Sequence, residues 1–367
     1  MRKAGFAMRK AGFGMRRERL RLLAAAAVLP LLGIAACSSS GSTSSGSASS
    51  SGSASSSSHT LTLAVVPKSL GFDYWTHLHD GAKCAAGKLG NVTINWNGVA
   101  AETDVTGEVS LLNGYIDRGV NGLIYAATDA KALLPVTTKA QAAHIPVYNI
   151  DSGTTPQQVP LFATDNLHGA NEVAGLMNTY LHGHGKVAII EFQPGSMTDN
   201  QRKQGFVQGL TAYPGLHLVA DQADGSDASR ALTVTNDILT ANPNLNGIFG
   251  SNEPSVIGAS QAVRQRHLSG KLVMVGWDAA PDEVAALQSG EISALIVQNP
   301  FRMGFDSVVA MTEHIRKGVP VSNGDTGVYV VTKQNMNQPQ FQAILAPSCS
   351  NPPLPPDDPW LKYVHMS

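Results

Sequence analysis

Residues Gly247–Asp278 read GIFGSNEPSVIGASQAVRQRHLSGKLVMVGWD, and this stretch decides the fold. Gly247–Gly250 is a short, unbroken apolar run, as expected of a strand buried on both faces. It stops at the polar Ser251-Asn252-Glu253, and Pro254–Gln265 then reads as a helix. Proline suits a first helical turn, where its missing N–H has no partner to lose. A second apolar run, Leu272–Gly276, ends on Trp277-Asp278. Strand, crossover helix, strand is a βαβ unit, and such units build parallel sheets with helices on both faces.

The same alternation runs outward in both directions. Further strands are predicted at Leu61–Val66, Val92–Trp96, Leu123–Ala126, Val147–Ile150, Val187–Glu191, Leu216–Ala220 and Ile292–Val297. Helical segments fall between them, among others at Thr76–Leu89, Glu108–Arg118, Ala130–Ala143, Gly169–Leu181, Asp199–Thr211, Ser229–Ala241 and Pro281–Gln288. These are too many βα units for one doubly wound domain. The fold class is therefore α/β, with two doubly wound parallel-sheet (Rossmann-like) lobes and a break near Phe162-Ala163-Thr164.

Ligands of parallel sheets sit beyond the carboxyl ends of the strands, so those ends carry the chemistry. They read Pro67-Lys68 followed by Phe72-Asp73-Tyr74-Trp75, then Trp96-Asn97-Gly98, Thr128-Asp129 and Asp151-Ser152 in the first half. In the second half they read Phe192-Gln193, Asp224, Ser251-Asn252-Glu253, Trp277-Asp278 and Gln298-Asn299. Carboxylates, amides and indoles at nearly every end suit a carbohydrate. A sugar ring offers apolar C–H faces to aromatic rings and a belt of hydroxyls to bidentate polar groups. Each residue also has a plainer reading: Asp151, Asp129 and Asp165 as helix caps, Arg202 as a solvated helix charge, Trp75 and Trp277 as core. Trp96, Phe192 and Lys68 are balanced between wall and packing or surface.

Other chemistry is excluded. His77 and His79 stand two apart on a helix and point away from one another, which argues against a metal. Gly81–Lys88 misses the phosphate-loop spacing and reads as helix. With no nucleophile elbow in the folded part, no paired catalytic carboxylates and no CxxC, the chain reads as a non-enzyme without cofactor or metal.

The N-terminus predicts export. Residues 2–21 hold eight basic side chains against Glu18, an apolar run Leu22–Gly33 follows, and Ile34-Ala35-Ala36-Cys37 closes it. The run is too short to span a bilayer but has the length of a signal-peptide core, and its end resembles a bacterial lipobox with Cys37 as the lipidated residue. Residues 1–36 are thus the expected lipoprotein signal peptide. Translation could begin at Met1, Met8 or Met15, and Arg16-Arg17 leaves Sec and Tat export both open. Residues 37–59 form the expected tether: Ser38–Ser58 is only Ser, Gly, Ala and Thr, with a reach of roughly 25 Å. Removing residues 1–36 takes away eight of 26 basic and one of 27 acidic residues, leaving a formal charge of −8 that argues against nucleic acid. The lipid is then the sole membrane anchor, on the extracytoplasmic face of the cell membrane. Cys84 and Cys349 remain, and the sequence is compatible with a disulfide or with two separate thiols.

At its strand ends the chain resembles the ribose- and galactose-type periplasmic binding proteins, the type I solute-binding proteins of ABC importers. The likeness runs from about Thr60 to about Met336 and is densest in Gly247–Glu253, Gly276-Trp277-Asp278 and Val297-Gln298-Asn299-Pro300-Phe301. It implies a three-segment hinge, with 60–163 and 299–326 as the N-terminal lobe, 164–298 and 327–346 as the C-terminal lobe, and 347–367 as a Pro-rich extended tail. It also implies ligand contacts from the aromatic pair Tyr74 and Trp75, and from Asp151, Arg202, Asn252, Trp277, Asp278 and Gln298. Lys68, Gly71 and Asp73 stand where the family's first loop has Asn residues, and Lys68 and Asp73 are taken as ligand-binding too. Ser152 stands where ribose-type proteins have an arginine, and Asp224-Gly225-Ser226 where they have a stacking Phe. These departures point away from ribose. The resemblance implies a monomer that captures a sugar or polyol and passes it to ABC permease subunits. A sensor presenting a sugar or signalling molecule to a membrane receptor is the alternative.

Overall fold

The computed structural model describes residues 59–364; the expected signal peptide, Cys37 and the tether up to residue 58 lie outside them. In chain order the strands are β1 (Leu61–Val66), β2 (Val92–Trp96), β3 (Gly122–Tyr125), β4 (Val147–Ile150), β5 (Leu161–Ala163) and β6 (Gly185–Glu191). There follow β7 (Leu216–Ala223), β8 (Gly247–Gly250), β9 (Val273–Trp277), β10 (Ala294–Val297), β11 (Gly324–Asp325) and β12 (Tyr329–Val331). They form two six-stranded sheets, ordered β11-β5-β4-β3-β1-β2 and β12-β10-β9-β8-β6-β7. Every pairing is parallel except β12, which runs antiparallel to β10. The chain passes between the sheets after β5, after β10 and between β11 and β12.

Four predicted strands coincide with β1, β2, β4 and β8 to the residue. β1, β4 and β8 are mostly apolar runs and almost wholly buried, whereas the edge strand β2, Val-Thr-Ile-Asn-Trp, alternates and is only partly buried. The sequence did not reveal β5, β11 and β12, which are three residues or fewer and too short to show a period. They pair only because neighbouring strands present open edges. The helix Pro300–Lys317, absent from the predicted segments, is capped by Asn299 accepting from the Arg302 N–H and ends at left-handed Gly318. It lies against Asp73–Leu89 at close range. A Cβ on Gly81 would stand 1.9 Å from the Phe301 carbonyl oxygen, and one on Gly304 would stand 2.0 Å from that of Leu78. Only glycine at both positions allows the two backbones to meet.

The tail is not simply extended. Cys84 and Cys349 form a disulfide, the Asn299 side-chain amide donates to the Pro353 carbonyl at 2.6 Å, and Arg302 Nε meets Asp358 Oδ2 at 2.6 Å. Leu354, Trp360, Leu361 and Tyr363 pack on the core of the first sheet, beside buried Val364. No helix among the described residues is long and apolar enough to cross a membrane.

Candidate functional site

The carboxyl ends of the two sheets face one another, and equivalent positions in each carry an aspartate. Asp151 follows β4 and donates its N–H to Phe162 in β5; Asp278 follows β9 and donates its N–H to Ile296 in β10. Both are left-handed, with φ of 60° and 86°, as is Ser226 at 57°. Non-glycine residues in that region cost about a kcal/mol or more each and cluster at ligand sites. Here the turn aims each carboxylate out of its sheet and into the space between them.

The polar groups that meet there come from both sides. Lys68 is 2% exposed, and its ammonium reaches Asp151 Oδ2 at 3.1 Å, Thr198 Oγ1 at 2.8 Å and Ser196 Oγ at 3.2 Å. All three of its protons are thereby used, and it ties the first half to the second. The Tyr74 hydroxyl donates to Asp151 Oδ1 at 2.7 Å. Arg202 lies over the Trp277 ring, 4.2 Å from its centroid, while Nε donates to Asn166 Oδ1 and Nη1 to the Ser251 carbonyl, each at 2.8 Å. Gln298 Nε2 donates to Asp278 Oδ1 at 2.7 Å.

Two further carboxylates span the halves. Glu102 accepts from Trp75 Nε1 at 3.3 Å and from Ser226 Oγ at 2.7 Å, and Ser226 in turn accepts from Asn252. Glu253 accepts the backbone N–H groups of Asp73 and Tyr74 at 3.2 and 3.0 Å. These are the first amides of the helix Asp73–Leu89, whose own N-cap, Phe72, has no capping side chain. The helix predicted to start at Thr76 starts earlier because Glu253 caps it from the opposite half.

Burial sets the electrostatics. It pushes Asp278 up to about 6, with Arg202 and Gln298 pulling back. Burial first, then the neighbouring Asp278, pushes Glu253 up to about 7 despite its two N–H donors. Glu102 is raised by burial against the opposing charge of Lys68, and the Tyr74 phenol is held well above its ordinary range by burial and by Asp151. The space between these groups is small, about 20 Å³. Roughly 10–15 Å³ suffices for one water.

Of the residues expected at the site, Lys68, Tyr74, Trp75, Asp151, Arg202, Asn252, Asp278 and Gln298 all line this space. Asp73 and Trp277 do not. Asp73 is exposed and contributes its backbone N–H, while Trp277 is fully buried beneath Arg202 and serves as its platform. Among the evenly balanced residues, Phe192 is a wall under Lys68 and Arg202, whereas Trp96 stacks on His79 at 4.3 Å. Asp165 is a helix cap, whereas Asp129 accepts the Lys131 and Ala132 N–H groups in the turn before the helix Leu134–Ala142, whose N-cap is Leu133. Glu102 was missed: it lies in the loop after β2, six residues past Trp96, and no periodicity marks it. Glu253 was legible only as the residue after Asn252. No group of three or more His, Cys, Asp or Glu among the described residues is placed to hold a metal ion.

A family model for the periplasmic binding protein domain matches residues 63–318. The D-ribose/D-allose-binding protein of Pseudomonas aeruginosa is 30% identical over 240 residues, 63% of this chain and 75% of its own. The ribose import binding protein of Escherichia coli is 30% identical over 251 residues, 67% of this chain and 82% of its own. Among solved structures, an ABC transporter solute-binding protein from Agrobacterium vitis with bound D-fucose is 33% identical with a TM-score of 0.76. It covers 78% of this chain and 100% of its own. With these likenesses joined to two facing parallel sheets and a site between them, the chain belongs to the periplasmic binding protein family of type I fold, as a ribose/galactose-type solute-binding protein of ABC transporters and not an enzyme.

Proposed function

We propose that this protein captures a sugar or polyol between its two halves on the extracytoplasmic side and delivers it to the permease subunits of an ABC importer. The observation that carries the reading is the convergence of Asp151 and Asp278, from matching ends of the two sheets, with Arg202, Asn252 and Gln298 in one buried space. Acceptors and donors so placed take pairs of adjacent hydroxyls, and Tyr74, Trp75 and Phe192 offer faces for C–H groups. Lys68 holds the Asp151 carboxylate in the site, and Asp73 gives its backbone N–H to Glu253 beside it. The relatives lend support, since their names give D-ribose, D-allose and xylitol, and solved neighbours hold D-fucose and D-arabinose.

Residues 60–163 with 299–326, and 164–298 with 327–346, act as the two lobes, rocking about the three crossings between the sheets. A sugar is far larger than the enclosed space, so it enters only when the lobes part. Cys37 carries the lipid after removal of residues 1–36, and residues 37–59 tether the monomer to the membrane. The test is a thermal-shift panel of pentoses, hexoses, alditols and inositols, with the ligand recovered afterwards. One or a few should raise the melting temperature and return unaltered, and Asp151→Ala should lose the shift. A panel without a single stabiliser overturns the reading.

A further inference from the structure

Resting on that reading, the census of donors and acceptors in the site narrows the ligand class. Much of the protein's own donor capacity is engaged: the three protons of Lys68, the Tyr74 hydroxyl, the Trp75 indole N–H, one Asn252 amide proton and two of the five Arg202 N–H groups end on protein acceptors, which leaves three Arg202 N–H groups and one Asn252 proton for ligand oxygens. The acceptors are in surplus. Gln298 Oε1 is buried on the wall without a hydrogen-bond partner, although the residue is only 2% exposed. Glu102, Asp151, Glu253 and Asp278 each accept two bonds, where an ionised carboxylate accommodates about four.

Charge repeats the imbalance. Lys68 offsets Asp151 by direct contact, and Arg202 is the cation that stabilises the ionised form of Asp278. Glu102 and Glu253 line the same space without a cationic side chain of their own in hydrogen-bond contact. A buried carboxylate left without a compensating cation is costly, and so is a buried amide oxygen without a donor. A neutral sugar hydroxyl brings as much acceptor as donor. A protonated amine brings three donors, a charge, and no acceptor.

We propose that the ligand is an aminated sugar or amino-alditol whose ammonium group lies between Glu102, Glu253 and Gln298 Oε1, with its hydroxyls taken by Asp151, Asp278, Arg202 and Asn252. Serine at position 226 is part of the same design. Its hydroxyl donates a hydrogen bond to Glu102 at 2.7 Å and so fixes that carboxylate.

The test is calorimetric titration of the protein with D-glucosamine, D-galactosamine, D-mannosamine and their amino-alditols, each beside its hydroxyl parent and its N-acetyl derivative, at pH 7.5 and low salt. At least one amine should bind ten or more times tighter than its parent, and acetylation, which removes the charge, should abolish the gain. Glu102→Gln and Glu253→Gln should each cut the amine-over-hydroxyl ratio by tenfold or more, with far-UV circular dichroism unchanged. A parent that binds as well as or better than its amine overturns the inference and leaves the sugar-capture reading standing. If neither amines nor parents bind, both fall. An amine preference that survives both glutamine variants removes the assignment of its ammonium to those carboxylates.

Discussion

Lys68, balanced in sequence between a ligand contact and a plain surface lysine, is a buried strut. Its neighbour Asp151 is 3% exposed, so the pair stands or falls together. Lys68→Met should destabilise the protein by about 3–5 kcal/mol, because it strands a buried carboxylate, whereas Lys68→Met combined with Asp151→Asn should recover more than half of that loss. Urea unfolding of the two variants checks this; a double variant no better than the single removes the ion pair as the cause. The positive φ of Asp151 and Asp278 belongs to the same scale. A substitution to glycine there would relax the backbone but lose the carboxylate, so the aspartates are retained for what they contact.

Two features act through whole elements. The helix Asp73–Leu89 is capped from across the cleft by Glu253, and the carboxyls behind the site share its burial: Asp224 is pushed up to about 7 and Glu108 to about 8. Around Glu253 stand Asp73, His77, Asp278 and Glu283, on the first helix, the end of β9 and the helix Pro281–Ser289. Folded-state values above the ordinary carboxylate range mean that the folded protein binds these protons more tightly than the unfolded chain. Their contribution to stability is therefore complete below about pH 4 and lost as pH rises through about 6 to 8. The melting temperature should fall by several degrees between pH 5.5 and pH 8.5 in the ligand-free protein. A flat or rising profile across that window contradicts carboxyls whose protons the fold holds more tightly than the unfolded chain does. The second feature is the bond between Cys84 and Cys349, 265 residues apart, which closes most of the folded chain into one loop. Constraining so long a loop is worth about 5–6 kcal/mol in the chain-entropy view and 2–4 kcal/mol in common experience. A reductant should lower the melting temperature of the native chain and leave a Cys84→Ala, Cys349→Ala variant unmoved; equal response in both would mean that the bond does not form in solution.

For the molecule as a whole, the prediction concerns closure. The groups bridging the halves, among them Lys68 to Ser196 and Thr198, Glu102 to Ser226, and Glu253 to the first helix, can form only when the two sheets face each other closely. Small-angle scattering should show the radius of gyration falling on ligand addition, toward the roughly 19 Å expected of a compact chain of about 300 residues. Scattering curves that superpose with and without a stabilising ligand would argue against hinged capture.

The sequence by itself determined the periodic order of strands and helices, because each buried strand must be apolar and each strand end must stop being so. From this came the two-sheet α/β class and, through Gly276-Trp277-Asp278 and its companions, the family and eight of the wall residues. Tertiary structure alone decided which of those groups touch each other. It set Trp277 beneath Arg202 rather than against the ligand space, brought Glu102 into the site from a loop without periodicity, and turned Glu253 into the cap of a helix 180 residues earlier in the chain. It also paired Cys84 with Cys349 and folded the tail back over the first half. Local propensity reads neighbours along the chain, and each of these contacts is long-range: their partners come within reach only after the sheets have formed and turned their carboxyl ends toward one another.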